Sequence, residues 1–499
     1  MKHITSIDAL GRKEVDKIVE GARKMIPYAR KRSTPPQAKL EKEPKVCLLF
    51  SEPSTRTLGS YEEAVRLMGW PFRIISGAES TSLAKKESLA NTARMLAIQG
   101  AQIIVVRSKE EGVSTFIAEV LEKAGFSQVS IQNAGDGAHE HPSQTLLDRL
   151  TILETLGRLK NFTFGFLGDL KYSRTVHSLL KTFTPGDNVR FRLVSCPETR
   201  LPDEYKRELD ISESESVDDL KDCDIVYVTR IQEERYSDPV ELKRVKGRYR
   251  LTSEILEKWK KDVKVMHPLP YVDEISPEIR FDRRLIFDKQ SWYGIPMRMH
   301  LLLWSQEHRF EKAVPSGFPE VEKKIVKEVN INEYLASRRK GERYFRPLRN
   351  GTVLDHLDIG TADKIQRYLK TERIFGEDAV VHSIENVPSQ KLKRKDVLIL
   401  ENVFLPDRAL ALISFVAPRA TFNIIKDNRI RKMKVEIPKE IYGQTSFFRC
   451  PNNHCIVNHD PEANPRFMIL KKDKDEKSIV LRCSYCEREF SREEVLRTI

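Results

Sequence analysis

The sequence predicts an α/β protein: two tandem, doubly wound parallel-sheet domains, then a small α+β domain and a C-terminal β module that carries cysteines. Three observations predict it. Over about the first 300 residues, short apolar strand runs alternate with helical patterns, as in parallel sheets covered by helices on both faces. From 311 to 345 the chain turns charged, carries Pro315 and Pro319, and ends in Arg338-Arg339-Lys340-Gly341, which reads as a connector with some helix. Four of the seven cysteines then crowd the last 50 residues.

Lys45–Phe50 is a short buried strand, and a helical pattern runs from Ser54 to Met68. Gln102–Val106 is another strand, followed by a helical stretch over Ser114–Ala124. A second series opens with Phe162–Leu167 and continues through Arg190–Val194, Asp224–Thr229 and Lys264–Met266. The join falls near Gly135–His141, before a helix through Leu146–Leu156. The first domain is therefore expected at 1–138, completed by a helix near 292–310, and the second at 139–310. Past the connector, Asn350–His356 is a turn into a strand. A helix over Ala362–Leu369 and strands at Val397–Leu400 and Thr421–Ile425 make the small domain, 346–440. Residues 441–499 form the cysteine module.

A length of 499 residues suits roughly three or four domains. With 40% hydrophobic and 32% charged residues, the chain is globular rather than disordered. Its apolar runs, such as Ile103–Val106 and Leu301–Trp304, fall far short of the roughly 20 residues that span a bilayer. Met1–Ser6 lacks the apolar core of a signal peptide, so a cytoplasmic location without membrane contact is expected. The net charge of +13 permits nucleic-acid binding and equally suits small anions. Few aromatics accompany the basic clusters, so no nucleic-acid partner is expected.

Ser54-Thr55-Arg56-Thr57 follows a strand and starts a helix. Three hydroxyls, a guanidinium and unpaired helix N–H groups converge there, which suits a phosphate. Helix capping by Ser54 needs no ligand, but it leaves the Arg between two threonines unexplained. Ser80–Glu87, read alone, is a solvated basic loop. His141 precedes Pro142 after the turn Gly135-Asp136-Gly137, so it is held away from helical geometry. Gly168–Thr175 and Thr229–Gln232 stand at the carboxyl ends of strands, where ligands of open α/β sheets sit. In His267-Pro268-Leu269-Pro270 the prolines fix the backbone and free a carbonyl.

Cys450-x4-Cys455 and Cys483-x2-Cys486 offer four thiolates for tetrahedral zinc, with disulfides as the alternative. Without a signal peptide the metal is expected: one structural Zn2+ per chain, with His454 and His459 surplus. Cys47, Cys196 and Cys223 are scattered buried singles.

In order and spacing, Ser54–Thr57, His141-Pro142-Ser143-Gln144, Gly168–Thr175 and His267–Pro270 resemble the aspartate/ornithine carbamoyltransferases over essentially all of 1–310. The ornithine branch typically has a cysteine in the last motif, where Pro268 stands here. Asn350–His356, Lys395-Asp396 with Glu401-Asn402, and Cys450-Pro451-Asn452 resemble the regulatory chain of the aspartate branch, normally a separate polypeptide.

The resemblance implies a natural fusion of both chains. It would carry the carbamoyl group of carbamoyl phosphate to the amine of L-aspartate, an early step of pyrimidine synthesis. It implies that Ser54, Thr55, Arg56 and Thr57 cradle the phosphate with Arg107, and that Thr57, Arg107 and His141 polarise the carbamoyl oxygen. Gln144 and the Pro268 carbonyl, with Leu269 beside it, would bind the carbamoyl NH2. Arg174, Arg230 and Gln232 would clamp the aspartate carboxylates, a task suited to guanidinium forks. Ser82 and Lys86 would enter from a neighbouring subunit, in a homo-oligomer built from catalytic trimers. Glu233-Glu234-Arg235 departs from relatives that have a basic residue after the glutamine. The regulatory part implies a pocket for nucleotide effectors such as CTP or ATP, with Asp355 and His356 on its opening strand and Lys434 as phosphate partner. Ile399 stands where relatives place a second lysine, and Lys393, Arg394 and Lys395 are expected to precede that strand. The rival readings are a carbamoyltransferase for another amino acid, such as ornithine, and a basic nucleic-acid-binding zinc protein.

Overall fold

Val46–Phe50 (β1) is buried at every position. It lies inside a parallel sheet, so its face-to-face burial produces a continuous apolar run instead of an alternation. Phe72–Ser76 (β2), Ile103–Ser108 (β3) and Ser130–Asp136 (β4) complete that sheet in the order β2-β1-β3-β4, parallel throughout. The second sheet takes Thr163–Leu167 (β5), Arg190–Val194 (β6), Asp210–Ser214 (β7), Ile225–Val228 (β8) and Lys264–Met266 (β9), ordered β7-β6-β5-β8-β9 and again parallel. The chain thus has the two parallel-sheet series its alternation predicts. In each sheet the strand order reverses beside a central strand, at β1/β3 and at β5/β8. The crevice outside the carboxyl ends of such strands is where open α/β sheets receive ligands.

The computed structural model describes residues 3–77, 87–206, 208–233, 236, 239–307, 321–336, 348–375, 379–389, 392–427, 429–443, 447–472 and 478–499. Ser82, Lys86, Glu234 and Arg235 lie outside them. The chain forms two compact units, Met1–Lys312 and Ala313–Ile499. Among the described residues no helix is long and apolar enough to cross a membrane.

Within the first unit, the helix Gly294–Glu307 returns to the first sheet. Its Met299, Leu302 and Leu303 share a core with Val46, Leu48, Ile103 and Val105. Its Met297, Leu301 and Trp304 pack with Ile18, Val19, Leu146 and Leu150. The second sheet has an aromatic core in which Phe164, Phe166 and Phe191 are buried together.

In the second unit, Lys323–Asn330 (β10), Gly351–Leu357 (β11), Val380–Ser389 (β12), Lys393–Glu401 (β13), Thr421–Lys426 (β14) and Arg429–Val435 (β15) form an antiparallel sheet, ordered β10-β15-β14-β11-β13-β12. Helices Thr361–Thr371 and Asp407–Val416 pack against it. Two expectations are corrected here. The segment expected as a connector with some helix does hold a helix, Ile331–Ala336, but it also carries the strand β10. Its charged side chains are mostly exposed at a sheet edge, so no apolar alternation marks it. Lys393, Arg394 and Lys395 do not precede the strand; they are its first residues.

The last sheet is antiparallel too: Glu440–Tyr442 (β16), Arg466–Lys472 (β17), Ile479–Cys483 (β18) and Glu489–Ser491 (β19), in sequence order.

Candidate active site

A cavity of about 240 Å³ opens at the carboxyl ends of the parallel strands in the first unit. Ser54, Arg56, Thr57, Arg107, His141, Gln144, Arg174, Arg230, Gln232, Pro268 and Leu269 all line it. Thr55, also expected there, is exposed at the first helical position and is not on the lining.

The helix Thr55–Met68 starts where β1 ends, with Ser54 as its N-cap residue in extended geometry. Ser54 makes no side-chain capping bond, so the bland capping account of this serine fails. Thr57 is buried and reaches the imidazole of His141, Oγ1 to Nε2, at 3.3 Å. His141 is itself the N-cap residue of the helix Pro142–Leu156, with Pro142 at the first position. Two helix N-termini therefore face the same cavity, and both favour an anion.

Arg107, on β3, donates to the Ala134 carbonyl at 3.1 Å and pairs with Glu52 at 3.0 Å. Its Nε is buried without a hydrogen-bond partner among the described residues, as is the Nε of Arg298. Gly135 allows this crowding. It has φ +113°, and a Cβ there would lie 2.7 Å from Arg107 Nη1. Arg174 starts the helix after β5 and donates to the Gly137 carbonyl.

Among the described residues, five arginines line the cavity, 56, 107, 174, 230 and 298, against one carboxylate, Glu52. Burial and this charge balance together shift the side-chain pKa values. Burial and then Arg107 lower the pKa of Arg56. Burial lowers Arg107 despite Glu52. Burial, then Arg174, Arg107 and Arg298, hold His141 well below the ordinary histidine value, so its imidazole is neutral near pH 7.

The second sheet supplies the other wall. Gln232 donates to the Tyr172 carbonyl at 2.7 Å, and its backbone N–H donates to Asp169 at 3.2 Å. Arg230 donates to the Ile231 carbonyl at 3.2 Å. Leu269 N–H donates to His267 Nδ1 at 2.8 Å, which leaves Nε2–H to donate to Glu274, also at 2.8 Å. His267 is thus a brace that shapes the Pro268–Leu269 corner.

Sequence reasoning missed several lining residues. Arg298 donates to Ser143 Oγ at 3.4 Å, and its guanidinium lies 4.9 Å over the Tyr61 ring. A lone arginine inside an apolar helix was its visible signal. Gln290 and Gln144 both donate to Asp148, at 2.6 and 3.0 Å, and Tyr227 donates to the other oxygen at 2.8 Å. Burial nevertheless pushes the Asp148 carboxyl up to about 7. Glu52 carried no signal, because only folding brings it to Arg107.

In the second unit, the Sγ atoms of Cys450, Cys455, Cys483 and Cys486 lie within 4.8 Å of one another, and all four residues are buried. Cys450 and Cys486 are 3.7 Å apart, and Cys455 and Cys483 are 3.8 Å apart, with no disulfide among them. Ligands at roughly 2.3 Å from a tetrahedral ion would be separated by about 3.8 Å. The donor set therefore fits one four-coordinate metal ion. Among the described residues no histidine belongs to the cluster; His459 binds the Asn453 carbonyl at 2.8 Å.

Residues 2–154 match the family model described as the aspartate/ornithine carbamoyltransferase carbamoyl-P binding domain, and 160–305 match the Asp/Orn binding domain. The aspartate carbamoyltransferase catalytic subunit of Methanocaldococcus jannaschii is 42% identical over 308 residues, 60% of this chain and 97% of that one. The chain belongs to the aspartate/ornithine carbamoyltransferase family. The catalytic subunit of Methanothrix thermoacetophila is 40% identical over 311 residues, with 60% and 97% covered. The solved M. jannaschii catalytic subunit superposes with a TM-score of 0.55 at 40% identity, covering 62% of this chain and 98% of that one. The Trypanosoma cruzi aspartate transcarbamoylase, solved with carbamoyl phosphate and aspartate, gives 0.54 at 30% identity, covering 61% and 96%. The chain is a carbamoyltransferase, and these relatives favour aspartate over ornithine. Residues 344–436 match the allosteric domain of the aspartate carbamoyltransferase regulatory chain, and 439–496 match its metal binding domain. One polypeptide thus carries catalytic and regulatory parts together.

The expected effector residues lie in the β10–β15 sheet. Asp355 is held by Lys395 at 2.5 Å and accepts from the His356 N–H at 2.8 Å. Despite its burial, Lys395 and His356 keep Asp355 below its ordinary value. Lys434 is exposed on β15. Ile399 is buried with Val353, Val397, Ile430 and Ile331, so it serves the apolar core of that sheet.

Proposed function

We propose that the cavity joins carbamoyl phosphate to L-aspartate, giving N-carbamoyl-L-aspartate and phosphate. The observation that carries this reading is that, among the described residues, five arginines and a single carboxylate line one cavity. Both substrates are anionic, whereas the side-chain ammonium of ornithine would find one carboxylate, Glu52, among five arginines. The aspartate nitrogen attacks the carbamoyl carbon, the C–O bond to phosphate breaks, and the departing phosphate takes the amine proton. Ser54, Arg56, Thr57 and Arg107 hold the phosphate at the helix N-terminus. Thr55 adds a backbone N–H more naturally than a side chain. Neutral His141, with Thr57 and Arg107, polarises the carbamoyl oxygen as charge develops on it. His141 serves as a hydrogen-bond donor, so no base is required of it. Gln144 and the Pro268–Leu269 corner bind the carbamoyl NH2, and Arg174, Arg230 and Gln232 take the aspartate carboxylates. Catalysis rests on positioning and fixed charge, since no nucleophilic side chain is activated here.

The further assignments follow the same reading. Residues 1–138 with the helix Gly294–Glu307 form the carbamoyl-phosphate domain, and 139–310 the aspartate domain; the packing of Met299 and Leu302 on β1 and β3 supports this division. Ser82 and Lys86 complete the site of a neighbouring chain within a catalytic trimer. The thiolates of the cysteine cluster hold one Zn2+ with a structural role, because four protein ligands leave no open position. The domain at 346–440 binds nucleotides such as CTP or ATP.

The test is initial rate at saturating carbamoyl phosphate, with aspartate and with ornithine, on a sample of known mass and with CTP, ATP or UTP added. Aspartate alone should be carbamoylated, and nucleotides should change the aspartate saturation curve. Faster product formation from ornithine would overturn the substrate assignment.

A further inference from the structure

The register of β10 on β15 sets like charges directly across from each other. Lys324 faces Lys434, and Lys327 faces Lys432 after a one-residue bulge. Directly opposed residues share a face of the sheet, and so do residues two apart along a strand, so all four ammonium groups stand on one face. Like charges opposed in this way destabilise strand pairing. A departure from local consistency of this kind is expected where a site requires it.

The same face continues inward. Lys432 is paired with Asn423, Asn423 with Val353, and Val353 with Ile399. In the neighbouring row Thr421 is paired with Asp355, which Lys395 holds. Two strand spacings, roughly 10 Å, separate the lysines of β15 from Asp355 on β11. Charged groups thus lie at the two ends of a face whose middle strand, β14, holds Thr421 and Asn423. The strand β10 precedes the residues that match the regulatory-chain model, which begin at 344. Half of the lysine cluster therefore comes from the stretch that ties the catalytic part to the regulatory part.

We propose that β10 completes a polyphosphate site. Lys324 and Lys327, with Lys432 and Lys434, hold the phosphates of a nucleoside triphosphate whose base and ribose lie towards Asp355 and Lys395. This rests on the reading of a nucleotide effector in this domain, and it deepens that reading. It also accounts for an apolar residue at 399: the phosphate charges are met from the β10 edge, and position 399 is left to the core. Because β10 lies in the tether, an occupied site pins the tether to the sheet.

Calorimetry on the full chain tests it, with CTP, ATP, CMP and inorganic tripolyphosphate against the parent and the double variant Lys324→Ala/Lys327→Ala. The variant should bind CTP and ATP at least ~10-fold more weakly, the scale of losing charged hydrogen-bond partners, and should lose far less for CMP. Lys323→Ala, on the opposite face beside Asp407, should bind as the parent does. Without nucleotide, the double variant should melt no lower than the parent, since a repulsion has been removed. Parent-like triphosphate binding by the double variant would overturn the role of β10 alone. Equal losses for CMP and CTP would place the lysines away from the phosphates and also overturn it. A parent that binds no nucleotide would refute the effector reading itself. Tight binding of tripolyphosphate but of neither CTP nor ATP would show a general polyanion surface instead.

Discussion

Thr57 Oγ1 and His141 Nε2 meet at 3.3 Å, although 84 residues separate them. The contact ties the helix start after β1 to the helix start after β4. It fixes two groups expected to share one substrate oxygen, with Arg107 behind them. Burial first, and then the cationic surroundings, keep the imidazole neutral, so it can donate without a counter-charge.

Arg56 sits at an exposed helix start, so its removal should spare the fold. Arg56→Ala should lower turnover by at least ~100-fold, the scale of losing one preorganised charge-stabilising donor. Steady-state rates on a variant with parent-like circular dichroism check this; an unchanged rate would refute the phosphate assignment.

His141 is held well below its ordinary pKa, so the neutral form persists as pH falls through the usual histidine range. Parent and His141→Gln should therefore show parallel kcat/KM profiles between about pH 6 and 8, with the variant uniformly slower. A bend near 6.5 in the parent that the variant lacks would mean that His141 titrates in the working range.

Asp148 is the buried acid whose pKa rises to about 7. A carboxyl with a folded pKa above its unfolded value contributes stability that is full below the unfolded pKa, near 3.8. That contribution is lost as pH climbs through about 7. Asp148→Asn removes the cost of ionisation. Its stability relative to the parent should therefore rise between about pH 5 and 8, by on the order of 3 kcal/mol. Denaturant melts at several pH values measure this, and a pH-independent difference would contradict it.

Cys483→Ser removes one of four thiolates that converge within 4.8 Å. Metal analysis should find about one zinc per parent chain and far less in the variant, whose terminal module unfolds because metal binding and folding are one equilibrium there. Carbamoyl transfer by the first unit should survive. Zinc retained at the parent level would show that the ligand set is wrong.

If Lys86 serves a neighbouring chain's site, Lys86→Ala and Arg56→Ala should rescue each other. After the two inactive variants are dissociated and reassembled together, some sites would hold both residues in native form. No recovered activity in verified hybrid trimers would argue for a site built within one chain.

Local order decided what could be read in advance. β1, β3 and β5 are buried on both faces, so their apolar runs announced a parallel sheet. The paired cysteines mark a candidate metal site by their spacing, whereas Ser54–Thr57 and His141–Gln144 are weak signals singly and point to a site through their joint resemblance to one family. Other features depend on partners distant in sequence. β4 is buried yet polar, because Gln132 is satisfied by Tyr61, Leu301 and Ser305. β10 is an edge strand whose exposed lysines hide it, and only its register with β15 opposes two of them, Lys324 and Lys327, to two lysines of that strand. Arg298 and Glu52 join the cavity from separate segments that folding brings together. The sequence by itself thus determined the fold class and the cysteine cluster through local patterns, and the reaction class through the order and spacing of motifs that resemble one family. The tertiary structure alone decided the protonation of His141 and Asp148 and the lysine face of the regulatory sheet. Burial and the field of neighbouring charges depend on distance in space, which distance along the chain does not report.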